Sequence, residues 1–453
     1  MSGGTTMKTL AGFRAWRYDQ RTAGDLGRLV APPYDVIGPE LQAQLYARSP
    51  YNVVRVDLGM TAPGDSETDS RYTRAAQQLA AWRESGVLVR DPEPSVTFVE
   101  ETFRGPDARE RTRRGFLALV RLHDFEEGIV FPHEFTLSGP KEDRFRLMKA
   151  TKMSLSPVFL LYDLPDDDIT TAWAAGVGGG DPEAVIGDEV GIITRVWPTS
   201  DPSLLKLIGR ALEAKPLIIA DGHHRYETAL RYRKYQLDTN GRALSDGFGA
   251  QACDYALAYL SNMADPGLAV YGTHRLLSGL PPEKMAALPT MLSDTFAVEL
   301  LSPDAHAAPA TIAAYLEAHS AGGAFGLCGP GLKGVYGLRL TKPEAVRAAA
   351  PAHSPAYQGL DVVILHSLIF EKLLGITSED MAAQKNITYF KDTAEAFGRL
   401  GEGEFQAGFF LNPTRLDQIR DVALGGERMP QKTSFFYPKL PTGLVFHDLD
   451  GVV

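Results

Sequence analysis

The chain has 453 residues, with 46 Lys plus Arg against 56 Asp plus Glu and a formal net charge of −10. That acidic balance argues against broad binding to nucleic acid or to a membrane surface, while leaving room for a local basic cleft. A hydrophobic content of 44% with 23% charged residues is that of a globular chain able to bury a sizeable core.

Length predicts two or three domains. Cys253 and Cys328 are the two cysteines and give neither a zinc pattern nor a disulfide framework, so a reducing, cytoplasmic location is expected. The N-terminus lacks the charged and apolar regions of a signal peptide. No uninterrupted apolar stretch reaches membrane-spanning length, so no membrane association is expected.

In chain order, Val30-Ala31-Pro32-Pro33-Tyr34-Asp35-Val36-Ile37 holds the backbone extended, because Pro32-Pro33 excludes helix there. Asp35 is thus presented from a stiff segment as a candidate base or metal ligand. Pro39 opens a helix running to Arg48. Asn52–Leu58 alternates like a strand, and residues 70–84 read as an amphipathic helix. Two strands are predicted at Val96–Phe103 and Gly115–Leu122, joined by a charged link from Arg104 to Arg114. Next comes a dense polar cluster, Phe131-Pro132-His133-Glu134-Phe135-Thr136, followed by Lys141-Glu142-Asp143-Arg144. His133-Glu134 offers a base with a partner. Lys141 supplies a point charge for phosphate and Arg144 a two-pronged clamp. Both cations are expected in a loop leading into a helix over 145–153.

Ser156–Tyr162 ends as a strand. The aspartates 166–168 mark a loop or helix start in preference to a cation site. Asp201-Pro202-Ser203 starts a helix through Ala214 by the N-cap and proline rules. That helix delivers the chain to Lys215-Pro216-Leu217-Ile218-Ile219-Ala220-Asp221-Gly222-His223-His224-Arg225-Tyr226, the densest chemistry in the sequence. A buried strand is predicted to meet a glycine turn and then a helix. Such a junction presents free backbone N–H groups and the positive end of the helix dipole. With His223, His224 and Arg225 it forms a candidate phosphate site, and Asp221 adds a carboxylate able to take a proton or hold a metal. Residues 238–250 are predicted as a polar loop long enough to act as a lid. Tyr255–Met263 and Leu268–Arg275 read as a strand pair joined at Asp265-Pro266-Gly267.

From about 280 the pattern becomes alternating helix and strand, including a long amphipathic helix over 357–374, so a second unit is expected. The expected division is 1–278 and 279–453, in a mixed α/β or α+β architecture. The tail Met429–Pro441, rich in Pro, Lys and aromatic residues, is expected to wrap over a surface. Its Lys432, Thr433, Ser434 and Lys439 are candidates to close an anion site.

Several segments together resemble a family catalogued as a domain of unknown function: APPYDVI at 31–37, FPHEFT at 131–136 with KEDR at 141–144, SPVFLLY at 156–162, IADGHHRYETAL at 219–230, DVVILH at 361–366 and MPQKTSFFYPK at 429–439. The central stretch is also similar to the phosphate-binding box of the ParB/sulfiredoxin superfamily, which in its free-serine kinases takes an Asp-Gly-His-x-Arg form. Asp221, Gly222, His223 and Arg225 match that box, and His224 fills its variable position. The resemblance implies a ParB/sulfiredoxin-like unit with insertions in 1–278, a nucleotide such as ATP as partner, and Mg2+. In those kinases an acidic residue nearer the N-terminus acts as base. Here the base is open between Asp35, Glu134 and Asp221.

Three functions follow as expectations. The first is a nucleotide-dependent phosphotransferase acting on a small hydroxyl compound, serine or a serine-like amino acid foremost. Phosphoryl transfer asks for charge neutralisation, in-line positioning and one carboxylate. Gly222, His223, His224, Arg225, Lys141 and Arg144 would serve the nucleotide, and Asp35, Glu134 or Asp221 the acceptor. No GxxxxGK[ST] motif is present, which disfavours a standard P-loop enzyme. The second is a ParB-type nucleotide-binding switch, for which no helix-turn-helix is evident. The third is a metal-dependent hydrolase using His133, His223, His224 and Asp221, without an HExxH motif to support it.

Overall fold

A computed structural model describes residues 9–105, 109–136, 138–240 and 251–453. The chain is a mixed α/β protein that forms two compact units. One comprises Met1–Pro132, Thr136–Leu268 and Pro438–Val453, and the other His133–Phe135 and Ala269–Tyr437. The units are interleaved in sequence, in contrast to the single cut expected after residue 278. His274–Leu277 is an inner strand of the second unit's sheet, which places the change of unit before it.

The first unit is built on a nine-stranded mixed sheet. Its strands lie in the order Val130–Pro132, Leu217–Asp221, Val158–Tyr162, Tyr255–Asn262, Glu110–Arg121, Val96–Arg104, Ile193–Thr199 and Ala184–Gly187, with Leu10–Ala11 paired to the end of Glu110–Arg121. All eight residues of Tyr255–Asn262 are buried, as befits a central strand covered on both faces. The period-2 alternation sorts one face into a core of Phe98, Phe116, Leu160, Tyr162 and Leu260, against which Trp173, Ile208 and Tyr226 pack from helices. The opposite face carries Phe159 and Tyr259, whose rings lie over the buried Arg113 guanidinium at 5.0 and 5.4 Å.

The second unit has a six-stranded antiparallel sheet in the order Phe296–Ser302, Val335–Leu340, Ala324–Cys328, Ala407–Leu411, His274–Leu277 and Ile387–Phe390. A two-stranded ribbon pairs Ala269–Tyr271 with Phe435–Tyr437. Tyr255–Met263 and Leu268–Arg275 are therefore not a strand pair; the first lies in the large sheet and the second contributes to the second unit. The helix expected over 357–374 is divided into Pro355–Gln358, Asp361–Ile364 and a π-helical Leu365–Leu374.

Two departures from the sequence expectation bear on the site. Asn52–Leu58 is not a strand but leads into a short helix, Val54–Asp57. The Asn52 side chain decides this: its amide donates to the carbonyls of Arg28 at 2.8 Å and Val30 at 3.0 Å, and its oxygen accepts from the Val54 N–H at 3.0 Å. A side chain that caps the backbone in this way outcompetes a ladder. The helix expected from residue 145 in fact spans Ser138–Thr151, so Lys141 and Arg144 project from its early turns and not from a loop. Of the predicted lid at 238–250, residues 241–250 lie outside the described residues, and Asn240 ends the helix His223–Asn240. Residues 106–108 of the charged link likewise lie outside them. Among the described residues no helix is long and apolar enough to cross a membrane.

Candidate functional site

The strand Leu217–Asp221 and the helix His223–Asn240 meet at Gly222 alone, which adopts φ +83°. A side chain at this position would be strained by the backbone. It would also place its Cβ 2.9 Å from the Arg225 guanidinium, which folds back over the turn. Glycine is thus required twice, for the turn and for the close approach.

Arg225 donates through Nη2 to Asp221 Oδ2 at 2.8 Å and through Nη1 to the carbonyl of Pro157. Among the described residues its Nε meets no acceptor. The other carboxylate oxygen, Asp221 Oδ1, accepts from Lys439 Nζ at 3.0 Å. Side-chain exposures of 11% for Arg225, 21% for Asp221 and 15% for Lys439 leave the cluster partly open to solvent. Burial by itself would push the Asp221 carboxyl up. The Lys439 ammonium and the Arg225 guanidinium, with a smaller contribution from His223, instead hold it well below the usual carboxylate range. Asp221 is therefore firmly ionised with both oxygens engaged. It orients cations and is a poor acceptor of a proton.

Arg225 also lines a small cavity of about 40 Å3 with Asp57, Arg144, Ser154, Ser156 and Thr228. Arg144, buried, donates through Nη1 to Asp57 Oδ1 at 3.0 Å and to the Asp57 carbonyl at 2.8 Å, and through Nε and Nη2 to Asp143 at 2.8 and 2.6 Å. Its guanidinium lies 4.1 Å from the centre of the Tyr34 ring. Burial raises the Tyr34 hydroxyl to about 12, although Arg225 and Arg144 oppose the rise, so it stays protonated at neutral pH. Asp35, exposed on the short 3-10 turn Tyr34–Val36 that follows Pro33, acts electrostatically on both Tyr34 and Asp57. Asp35, Arg144 and Arg225 thus share one neighbourhood.

Lys141 is bound elsewhere on the same helix pair. Its Nζ donates to Glu227 at 2.7 Å and to the Thr136 hydroxyl at 3.0 Å. His223 and His224 occupy the first turn after Gly222 and are half-buried. Glu134 belongs to the second unit. There its Oε1 accepts from the backbone N–H and the hydroxyl of Ser434, both at 2.9 Å, while buried His133 lies 2.7 Å from the same hydroxyl through Nε2. Among the described residues no group of three or more His, Cys, Asp or Glu side chains is arranged to hold a metal ion.

A family model described as "Protein of unknown function (DUF1015)" matches residues 10–363, a span that includes the Gly222 turn. The chain belongs to the DUF1015 family. No curated protein matches it. Among solved structures, a conserved hypothetical protein from Pyrococcus furiosus is 15% identical, with 71% of this chain and 91% of that chain covered at a TM-score of 0.33. A free serine kinase in complex with AMP is 13% identical, covering 71% of this chain and 88% of its own, at a TM-score of 0.34. SbnI with C-terminal truncation from Staphylococcus aureus is 10% identical, with coverages of 73% and 87% and a TM-score of 0.34.

In this DUF1015 chain, sequence reasoning missed Asp57, Tyr34 and Glu227. The Asn52 side chain ahead of a valine-rich run was the signal that could have moved Asp57 from a strand to a capped turn. The charge of Lys439 is legible in the sequence, but its partner lies 218 positions away.

Proposed function

We propose that the protein is a nucleotide-dependent phosphotransferase whose 221–225 turn receives the phosphates and whose acceptor is a small hydroxyl compound, a serine-like amino acid first. The observation that carries this is the charge count at the turn. Two cations, Arg225 and Lys439, share the single carboxylate of Asp221 at the start of an 18-residue helix, which leaves a net positive charge beside the positive end of the helix dipole. An arrangement of that sign and geometry suits an anionic phosphate chain.

Arg225 and Lys439 would then neutralise charge that builds on the leaving nucleotide, with Asp221 holding both cations in place before the reaction begins. The Gly222 turn lets the backbone approach the phosphates closely. His223 and His224 stand at the first helical turn, where they can add hydrogen bonds to phosphate oxygens. Exposed Asp35 is suited to be one of the one or two protein carboxylates that would hold Mg2+, which would supply positive charge to offset that of the phosphates. Lys141 is held by Glu227 and so supports the helix pair more directly than a phosphate.

The test is to incubate the purified protein with ATP, ADP or CTP and a panel of amino acids and small alcohols, and to look for a phosphorylated product by mass spectrometry. The unaltered protein is expected to bind a nucleotide and phosphorylate one of the panel. Arg225→Ala is expected to lower nucleotide affinity at least tenfold in calorimetry. Unchanged affinity in that variant, or nucleotide binding without any acceptor product, would favour a binding switch over a transferase.

A further inference from the structure

Asp57 differs from every other carboxylate near the turn. It is 4% exposed, and Arg144 occupies only its Oδ1 and its main-chain carbonyl. Among the described residues nothing donates to Oδ2, and the side chain lines the cavity shared with Arg144 and Arg225. Oδ2 is not sealed off, so a donor entering the cavity can reach it and fill its lone pairs. The cavity, at about 40 Å3, is large enough for two or three water-sized groups. Its lining also includes Ser154 and Ser156 among apolar side chains such as Leu147, Met153 and Leu257, while the Thr228 hydroxyl donates to the His224 carbonyl at 2.6 Å. The site is therefore shaped for a small neutral hydroxyl-bearing end, with a cation on one side and a carboxylate oxygen on the other.

The rival carboxylates are differently placed. Asp221 has Lys439 on one oxygen and Arg225 on the other. Glu134 accepts two hydrogen bonds from Ser434 in the second unit. Asp35 is exposed, where water competes for a proton.

Resting on the phosphotransferase reading above, we propose that Asp57 is the catalytic base, its Oδ2 receiving the proton of an acceptor hydroxyl seated in the Asp57–Arg144–Arg225 cavity. In that step the hydroxyl oxygen forms a bond to the terminal phosphorus of a nucleoside polyphosphate as its proton passes to Asp57 Oδ2. The phosphoanhydride P–O bond breaks, and its electron pair leaves on a nucleotide one phosphate shorter, whose added negative charge faces Arg225 and Lys439. Arg144 is a positioning residue: it fixes Asp57 through Oδ1 so that Oδ2 points into the cavity. Burial pushes the Asp57 carboxyl upward against the opposing pull of Arg144 and then Arg225, which raises its affinity for a proton.

Transfer of phosphate from ATP to L-serine and to water is measured beside ATP binding by calorimetry, in the unaltered protein and in Asp57→Asn. The expected result is at least a 100-fold fall in kcat with both acceptors, with the ATP Kd changed less than threefold. A kcat within threefold of the unaltered protein, or a loss matched by an equal loss of ATP affinity, overturns the role of Asp57. Should Asp57→Asn not fold, Asp57→Glu decides. It keeps the charge and the Arg144 pair but pushes the carboxylate one methylene into the cavity, so a base loses at least tenfold in kcat at constant ATP Kd and a merely structural carboxylate does not. If the unaltered protein neither binds nor turns over ATP, ADP or CTP, the phosphotransferase reading itself fails. If it binds and transfers while Asp57→Asn keeps its kcat, only the assignment of the base fails.

Discussion

The first unit contains two arginine–carboxylate clusters that look alike on paper and differ in what surrounds them. Glu101 and Arg113 face each other across neighbouring strands, both side chains 0% exposed, with one oxygen of Glu101 and one nitrogen of Arg113 lacking a hydrogen-bond partner among the described residues. At the Gly222 turn, Asp221 meets two cations and all three groups keep some solvent contact. The carboxyl responses are opposite. Burial raises Glu101 although Arg113 pulls it down, whereas Lys439 and Arg225 overcome burial and lower Asp221. A sealed one-to-one pair spends its attraction on its own desolvation. An open cluster with a surplus cation retains a field that a ligand can use. The sealed pair ties two strands together, and the open cluster keeps charge within reach of another molecule.

The largest expected effect breaks the sealed pair. Arg113→Met leaves the buried Glu101 carboxylate without its cation and should cost about 3–5 kcal/mol in urea unfolding. Replacing both partners, with Glu101→Leu added, should recover most of that loss, since no buried charge is left alone. ATP affinity of the folded double variant should match that of the unaltered protein. A double variant as unstable as the single would mean that the pair contributes net stability after all.

The next effect is at the open cluster. Gly222→Ala forces an alanine into φ +83° and brings its Cβ 2.9 Å from the Arg225 guanidinium. The left-handed conformation alone costs about 1–2 kcal/mol. Relief of the contact requires Arg225 to move, and with it the bond to Asp221. Expected outcomes are a loss of about 1–2 kcal/mol in stability together with a measurable fall in ATP affinity. A destabilised variant that binds ATP normally would detach the position of Arg225 from the phosphate site.

Which parts of this were legible in the sequence follows from the range of the interactions. The strand, the turn and the helix at 217–240 are announced locally, by the apolar run, Gly222 and helical spacing. So is the extended entry through Pro32-Pro33. Arg225 was legible as a cation at a helix start, but the partners that fix it, Asp221 and the Pro157 carbonyl, reflect how the sheet brings neighbouring strands together. Asp57 was hidden because Val53, Val54 and Val56 mimic a strand, while Asn52 closes the backbone by hydrogen bonds to residues more than 20 positions earlier. Lys141 and Arg144 were recognised as cations. That they are held by Glu227, and by Asp57 and Asp143, depends on the helix starting at Ser138 and on partners no local pattern names.

The smallest effect tests the open cluster by pH. Asp221 has a folded-state pKa depressed below its unfolded value, so the stability it contributes is fully present above the ordinary carboxylate pKa. That stability is lost as pH falls through the depressed folded value. Lys439→Met removes the larger of the two cationic influences and leaves Arg225, so the folded pKa moves back toward the ordinary one. At neutral pH the variant should be about 1 kcal/mol less stable, the scale of one charged hydrogen bond at a partly open site. The gap should hold until pH falls to the variant's own folded-state pKa and close only below it, because the variant has then lost its whole contribution while the unaltered chain still retains part of its own. Urea unfolding from pH 7 down to about pH 2 follows both the gap and the onset of its closure. The same substitution at the solvated pair Lys152–Asp450, whose side chains are 57% and 56% exposed, should shift neither curve by more than about 0.5 kcal/mol. A gap that stays constant with pH would mean that Lys439 stabilises through its packed stem and not through the charge it presents to Asp221, and the surplus cation that the proposed phosphate site requires would have to be sought in His223 or His224.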